Sequence, residues 1–93
     1  MLIINLNDII FIDNLPSLDL HGFDRETARV AINDFINDNI KLKNKFIVII
    51  HGIGSGILKD TTHLTLKKNK NVLEFKICMF NIGCTIVNIN LTK

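Results

Sequence analysis

Tryptophan and tyrosine are absent from this chain, proline occurs once and cysteine twice. Without the two large amphipathic rings, a core has to be filled by six Phe and by Ile, Leu and Val. Two cysteines, Cys78 and Cys84, are too few for a disulfide scaffold, and no Cys-x-x-Cys pattern announces a zinc site. They are expected as reduced, mostly buried thiols in a cytoplasmic protein. No apolar run approaches the roughly 20 residues that cross a bilayer; the longest, residues 9–12 and 46–50, are strand-sized, so no membrane partner is expected. Asn5, Asn7 and Asp8 interrupt the apolar N-terminus and no small-residue cleavage site follows, which argues against a signal peptide. Charge of one sign is also scarce. Eleven Lys and Arg against nine Asp and Glu leave a net +2, which admits a nucleic-acid partner without demanding one.

What is present suffices for one small domain: 93 residues, 47% of them hydrophobic. Residues 1–15 read as an apolar extension or arm, broken by Asn and Asp, and residues 16–93 as the folded domain. Pro16 marks the entry to a first strand, residues 17–21. Asp24 is placed to cap a helix and Glu26 to suit its dipole. From there Ala28, Ala31, Ile32, Phe35, Ile36 and Ile40 recur at helical spacing to about Leu42. Residues 46–50 are apolar at every position, as in a central strand buried on both faces. A glycine-rich turn then leads to a second helix over about residues 56–68, with Leu58, Thr62 and Leu66 as its stripe. Residues 72–78 and 84–91 alternate apolar and polar, each with one wet face, and the short link between them makes them antiparallel neighbours. The order β-α-β-α-β-β predicts an α/β two-layer sandwich: a mixed four-stranded sheet with both helices on one face.

Two segments carry chemistry. Residues 18–22 read Leu-Asp-Leu-His-Gly, which sets Asp19 and His21 on one face of the first strand. Polar residues on a strand's solvent face often do nothing. This pair, however, stands at the carboxyl end of the strand, where open α/β sheets place ligands, and the second segment leaves the next strand at that same end. Residues 51–56 read His-Gly-Ile-Gly-Ser-Gly. Gly52, Gly54 and Gly56 either supply the positive φ of a tight turn or, with Ser55, let a ligand approach a helix start whose bare N–H groups attract phosphate. The spacing matches neither the dinucleotide fingerprint nor a Walker loop. His51 either braces that turn or contacts phosphate. Lys59, one turn into the helix, is a phosphate ligand or an ordinary exposed lysine. His63, among polar neighbours, reads as a solvated surface residue.

At these residues the chain resembles the Smr domain, named for small MutS-related proteins. Residues 18–22 look like its Leu-Asp-x-His motif and residues 51–56 like its His/Thr-Gly-x-Gly-x-Gly motif. The likeness continues through Leu58-Lys59 to residues 83–87 and covers about residues 16–91. The resemblance implies a fold similar to the C-terminal domain of translation initiation factor three. It implies nucleic-acid binding and endonuclease activity on RNA or DNA, in some members at stalled or collided ribosomes, and in others as part of a longer MutS-like ATPase. Carried over, Asp19 and His21 are the catalytic pair, and His51, Gly52, Gly54, Ser55, Gly56 and Lys59 bind phosphate. The family loop usually has Lys where this chain has Ile53, which removes one phosphate contact.

Histidine's ability to gain and lose a proton near neutral pH suits acid–base work on a phosphodiester, with Asp19 orienting the His21 ring. On RNA the 2′-hydroxyl is a nucleophile that needs no metal. On DNA water has to attack, which calls for a divalent ion such as magnesium or manganese. Otherwise no cofactor is implied. A rival reading is a binding module without chemistry, docking on RNA, DNA or the ribosome; another is a protein-interaction domain that uses the N-terminal arm.

Overall fold

A computed structural model of the chain describes residues 14–78 and 81–92; residues 1–13, most of the expected arm, lie outside the described residues. Six elements follow in the expected order: β1 (Ser17–Asp19), α1 (Arg25–Lys41), β2 (Phe46–Ile50), α2 (Ile57–Lys68), β3 (Val72–Cys78) and β4 (Asn81–Ile89). Helix α1 starts where the sequence puts its cap. Extended Asp24 accepts the Thr27 N–H at 2.8 Å, which holds its carboxyl below the usual carboxylate range. Ala28, Ile32 and Ile36, four residues apart, are completely buried. Asn39 continues the same stripe and is satisfied there, its Nδ2 donating to the Phe35 carbonyl and its Oδ1 accepting from Asn44. The helix ends at Leu42, and Lys43 takes a left-handed φ of 63° to turn the chain into β2.

The strand order is β1-β2-β4-β3. β1 pairs parallel with β2, while β4 lies antiparallel to both β2 and β3. The three strands joined through helices therefore run one way, and β4 is inserted between the last two of them. Both crossovers step across the sheet in one direction, and right-handed connections then place both helices on one face. Leu20, Ile47, Ile49, Val87 and Ile89 pack there against Ile32, Ile36 and Leu66. Each fully buried side chain of this size contributes about 1.5–3 kcal/mol of transfer free energy.

Three expectations need correction. The wet face expected of the last strand is not observed: Val48, Cys78, Cys84 and Ile86 form a second apolar cluster on the sheet's other side, each 5% exposed or less, and Asn88 is buried beside them. The physical reason is that partly buried Leu15, Phe46 and Ile50 pack against this side of the sheet, so its apolar residues are shielded from water there too. Leu15, expected in the arm, packs against this cluster. In β3, a register shift between Val72 and Glu74 breaks the expected alternation, so that Val72 and Phe75 pack inward while Leu73 is exposed. Finally, Cys78 and Cys84, expected as free thiols, are joined in a disulfide, their Cα atoms 5.6 Å apart where β3 meets β4. The thiols therefore no longer speak for a reducing compartment. No helix among the described residues is long and apolar enough to cross a membrane.

Candidate functional site

Because β1 and β2 are parallel, with Asp19 opposite Ile50, the segments that follow them leave the sheet at the same end. β1 is shorter than expected. It stops at Asp19, whose carboxylate accepts the His21 main-chain N–H at 2.9 Å. This is an Asx turn, a local bond by which aspartate competes with the sheet for the backbone. Leu20 still donates to the Ile50 carbonyl and is wholly buried, but His21 stands beyond the strand, exposed. Asp19 thus holds the backbone that carries the His21 ring.

The glycine loop leaves β2 under a clamp. The N–H groups of His51 and Gly52 both donate to the Gly83 carbonyl on β4, at 3.0 and 2.9 Å. Gly52 and Gly56 have φ of 78° and 86°, a region that side-chain-bearing residues rarely enter. A Cβ at any of Gly52, Gly54 or Gly56 would meet nothing within 4 Å, so conformation rather than crowding requires glycine at these two positions. Gly56 is the N-cap of α2 and supplies no side chain; the Ser55 hydroxyl is 3.4 Å from the Ile57 N–H, a long contact. The first turn of α2 therefore keeps donors available to an anion at the positive end of the helix dipole.

The two motifs share one cleft of about 460 Å³, walled by Asp19, His21 and Gly22 on one side and by Ile50, His51, Gly52, Ile53, Gly54 and Leu58 on the other. Three of the expected phosphate ligands, Ser55, Gly56 and Lys59, are not among its walls. Lys59 lies on the flank of α2 toward His63, where its charge helps to lower the His63 pKa.

Under the loop the structure shows what the sequence did not. His51, expected to brace the turn or touch phosphate, is 6% exposed, and both ring nitrogens are engaged. Nδ1 is 2.9 Å from the Gly52 carbonyl and Nε2 is 2.9 Å from Thr85 Oγ1. The brace is what this geometry supports, and a ring contact with phosphate would have to break one of those bonds. His63, expected as a solvated residue, is half-buried. Its Nε2 reaches the same Thr85 hydroxyl at 2.9 Å, and its ring packs on Phe75. Burial, then the neighbouring His51, lowers its pKa. The partners stand 34 and 22 residues apart in sequence, so no local pattern foretells them; the one available signal was that His63 borders the Leu58–Thr62–Leu66 stripe.

The family model described as Smr domain matches residues 18–90. The chain belongs to the Smr domain family. Among similar curated proteins, the Endonuclease MutS2 of Halothermothrix orenii is 34% identical over 62 residues, which cover 67% of this chain and 8% of that protein. The Endonuclease MutS2 of Alkaliphilus metalliredigens is 31% identical over 80 residues, covering 83% and 10%. This Smr chain thus spans a tenth or less of the length of those relatives. The crystal structure of the Smr domain of Thermus thermophilus MutS2 superposes with a TM-score of 0.78 at 22% identity, covering 81% of this chain and 98% of that one. The stand-alone small MutS-related protein YdaL of Escherichia coli gives 0.75 at 20% identity, covering 80% and 63%. At those identities the structural likeness establishes the Smr fold, a mixed four-stranded sheet with two helices.

Proposed function

We propose that this Smr domain binds a nucleic-acid backbone in the cleft between the Asp19–His21 turn and the glycine loop, and cleaves a phosphodiester there. The observation that carries the proposal is the meeting of Asp19, His21, Gly52 and Gly54 in one cleft. The relatives named as endonucleases support it. A phosphate group is received by main-chain N–H groups of the loop and of the start of α2. The exposed His21 imidazole moves the proton. Asp19 positions it, by fixing the turn from which the ring projects.

RNA is the favoured substrate. Its 2′-hydroxyl gives its proton to His21, the bond from the 2′-oxygen to phosphorus forms, and the bond to the 5′-oxygen breaks. The leaving oxygen then takes a proton from imidazolium or water, and the product carries a cyclic phosphate. On DNA a water would replace the 2′-hydroxyl. A divalent ion such as magnesium or manganese does not fit the cleft's own donors, one carboxylate and one imidazole, since among the described residues no three His, Cys, Asp or Glu side chains cluster to hold one. No step is routed through such an ion. Action on messenger RNA at stalled or collided ribosomes, a cytoplasmic setting, and a place within a longer MutS-like ATPase belong to this proposal as implications of the family.

A second reading, binding without cleavage, is favoured by Ile53. It is 64% exposed on the wall of the cleft, where the family's lysine would meet phosphate. Incubating the protein with labelled RNA and with single- and double-stranded DNA, with and without EDTA, separates the readings. RNA fragments ending in cyclic phosphate, formed in EDTA, are expected. Salt-sensitive binding with every substrate intact would establish the binding module instead.

A further inference from the structure

One carbonyl fixes the direction of every hydrogen bond beneath the glycine loop. The Gly52 oxygen can only accept, so His51 Nδ1 carries the proton between them. In a neutral imidazole the other nitrogen is then an acceptor, and His51 Nε2 takes the hydrogen of the Thr85 hydroxyl. With its own hydrogen committed, Thr85 Oγ1 accepts from His63, whose Nε2 is therefore the protonated nitrogen. The donor order runs His63 to Thr85 to His51 to Gly52, from α2 through β4 to the first glycine of the loop. Thr85 is completely buried and His51 nearly so, which leaves water little part in replacing any link.

We propose that Thr85 and His63 are positioning residues for the loop: through His51 they hold the Gly52 carbonyl down and so aim the loop's N–H groups at the cleft. The inference rests on the proposed phosphate role of that loop. The Gly83 carbonyl accepts the His51 and Gly52 N–H groups, so the peptide unit between Gly52 and Ile53 is tied at its near end by the clamp and at its oxygen by the relay. Gly52, Ile53 and Gly54 line the cleft. The order above requires a neutral His51 ring, since its Nε2 accepts, whereas His63 donates from Nε2 in either protonation state. The charged groups bearing on His63 are Lys59, Asp60 and Lys67 of its own helix and His51 across the relay; β3 presents the Phe75 ring and β4 the Thr85 hydroxyl. Burial leads, and His51 and Lys59 add to it, in lowering the His63 pKa, which favours its neutral form.

The test is imidazole and amide NMR on the whole chain, with binding of a labelled single-stranded oligonucleotide measured beside it. In the wild type His51 is expected as the Nδ1–H form and His63 as the Nε2–H form. Thr85→Val removes the hydroxyl at nearly constant volume; it is expected to mix both tautomers, to shift the Gly52 and Gly54 amide signals, and to weaken binding roughly fivefold. Thr85→Ser, which keeps the hydroxyl, is expected to restore all three. Should Thr85→Val fail to fold, His63→Leu removes only the outermost donor, from a half-buried position, and is expected to shift the same amides. A wild-type His51 found as the Nε2–H form, or Gly52 and Gly54 signals unmoved in the variants, overturns the proposal. If the wild type binds no nucleic acid, the phosphate role of the loop fails, and the relay is judged by the ring and glycine signals alone.

Discussion

Replacing Ile53 by lysine measures whether phosphate passes the glycine loop. The side chain is 64% exposed, lines the cleft and touches neither core cluster, so the substitution costs no packing. Stability is expected to change by less than about 0.5 kcal/mol, the usual range for surface changes. A lysine ammonium brought within about 4 Å of a phosphate oxygen in a water-filled cleft gains about 1 kcal/mol, or roughly fivefold in affinity. The salt dependence is the sharper readout. One added phosphate contact steepens the slope of log affinity against log salt by about 0.7 for a single strand and 0.9 for a duplex. Between 50 and 200 mM salt, Ile53→Lys therefore loses roughly threefold more affinity than the wild type does. Fluorescence anisotropy of a labelled oligonucleotide over that salt series reads both numbers. Equal slopes and equal affinities for the two proteins would refute the placement of the backbone along the loop.

Other substitutions test the supports of the site. Asp19→Ala removes the acceptor for the His21 N–H and is expected to cost about 0.5–1.5 kcal/mol in denaturant unfolding, whereas Asp19→Asn keeps an acceptor and loses less than half of that; equal losses would contradict the Asx turn. Gly56→Ala places a Cβ at φ 86° with open space around it, so backbone strain alone is expected to cost about 1–2 kcal/mol, read as a lowered denaturation midpoint. His63 gives a pH dependence: its folded pKa lies below the ordinary 6.5, so the unfolded chain binds more protons in that window and its contribution, complete above pH 6.5, is lost as the pH falls toward the folded value. His63→Gln is expected to flatten stability between pH 6.5 and the folded pKa of His63, and an unchanged pH profile would argue against the buried placement of that ring.

The local patterns were readable because each is set by residues close together in sequence. Asp24 and the Ala28–Ile32–Ile36 stripe fix α1, five consecutive apolar residues mark β2 as an inner strand, and three glycines after His51 mark the turn before α2. The helix-on-one-face arrangement followed from element order and the handedness of crossovers. The features that differ depend on segments that meet only in three dimensions. Residues 84–91 read as one-sided until Leu15, Phe46 and Ile50 are seen against the second face, and residues 72–78 as alternating until the shift in β3 turns Leu73 outward. Cys78 and Cys84 read as separate thiols until the β3–β4 pairing brings them together. At the site, the sequence supplied Asp19, His21 and the glycines, but an Asx turn and a strand continuation look alike in one dimension. The relay of His63, Thr85 and His51 joins three elements and leaves no periodic trace.

The most direct measurement is the cleavage rate of a labelled single-stranded RNA by the wild type and by His21→Ala, with binding measured on the same samples. His21 is exposed and contributes to neither core cluster, so the variant is expected to fold and to bind within about twofold of the wild type. Loss of the proton-transfer group is expected to slow cleavage by about 10²–10⁴-fold. Cleavage by His21→Ala at the wild-type rate would contradict the assignment of chemistry to this cleft.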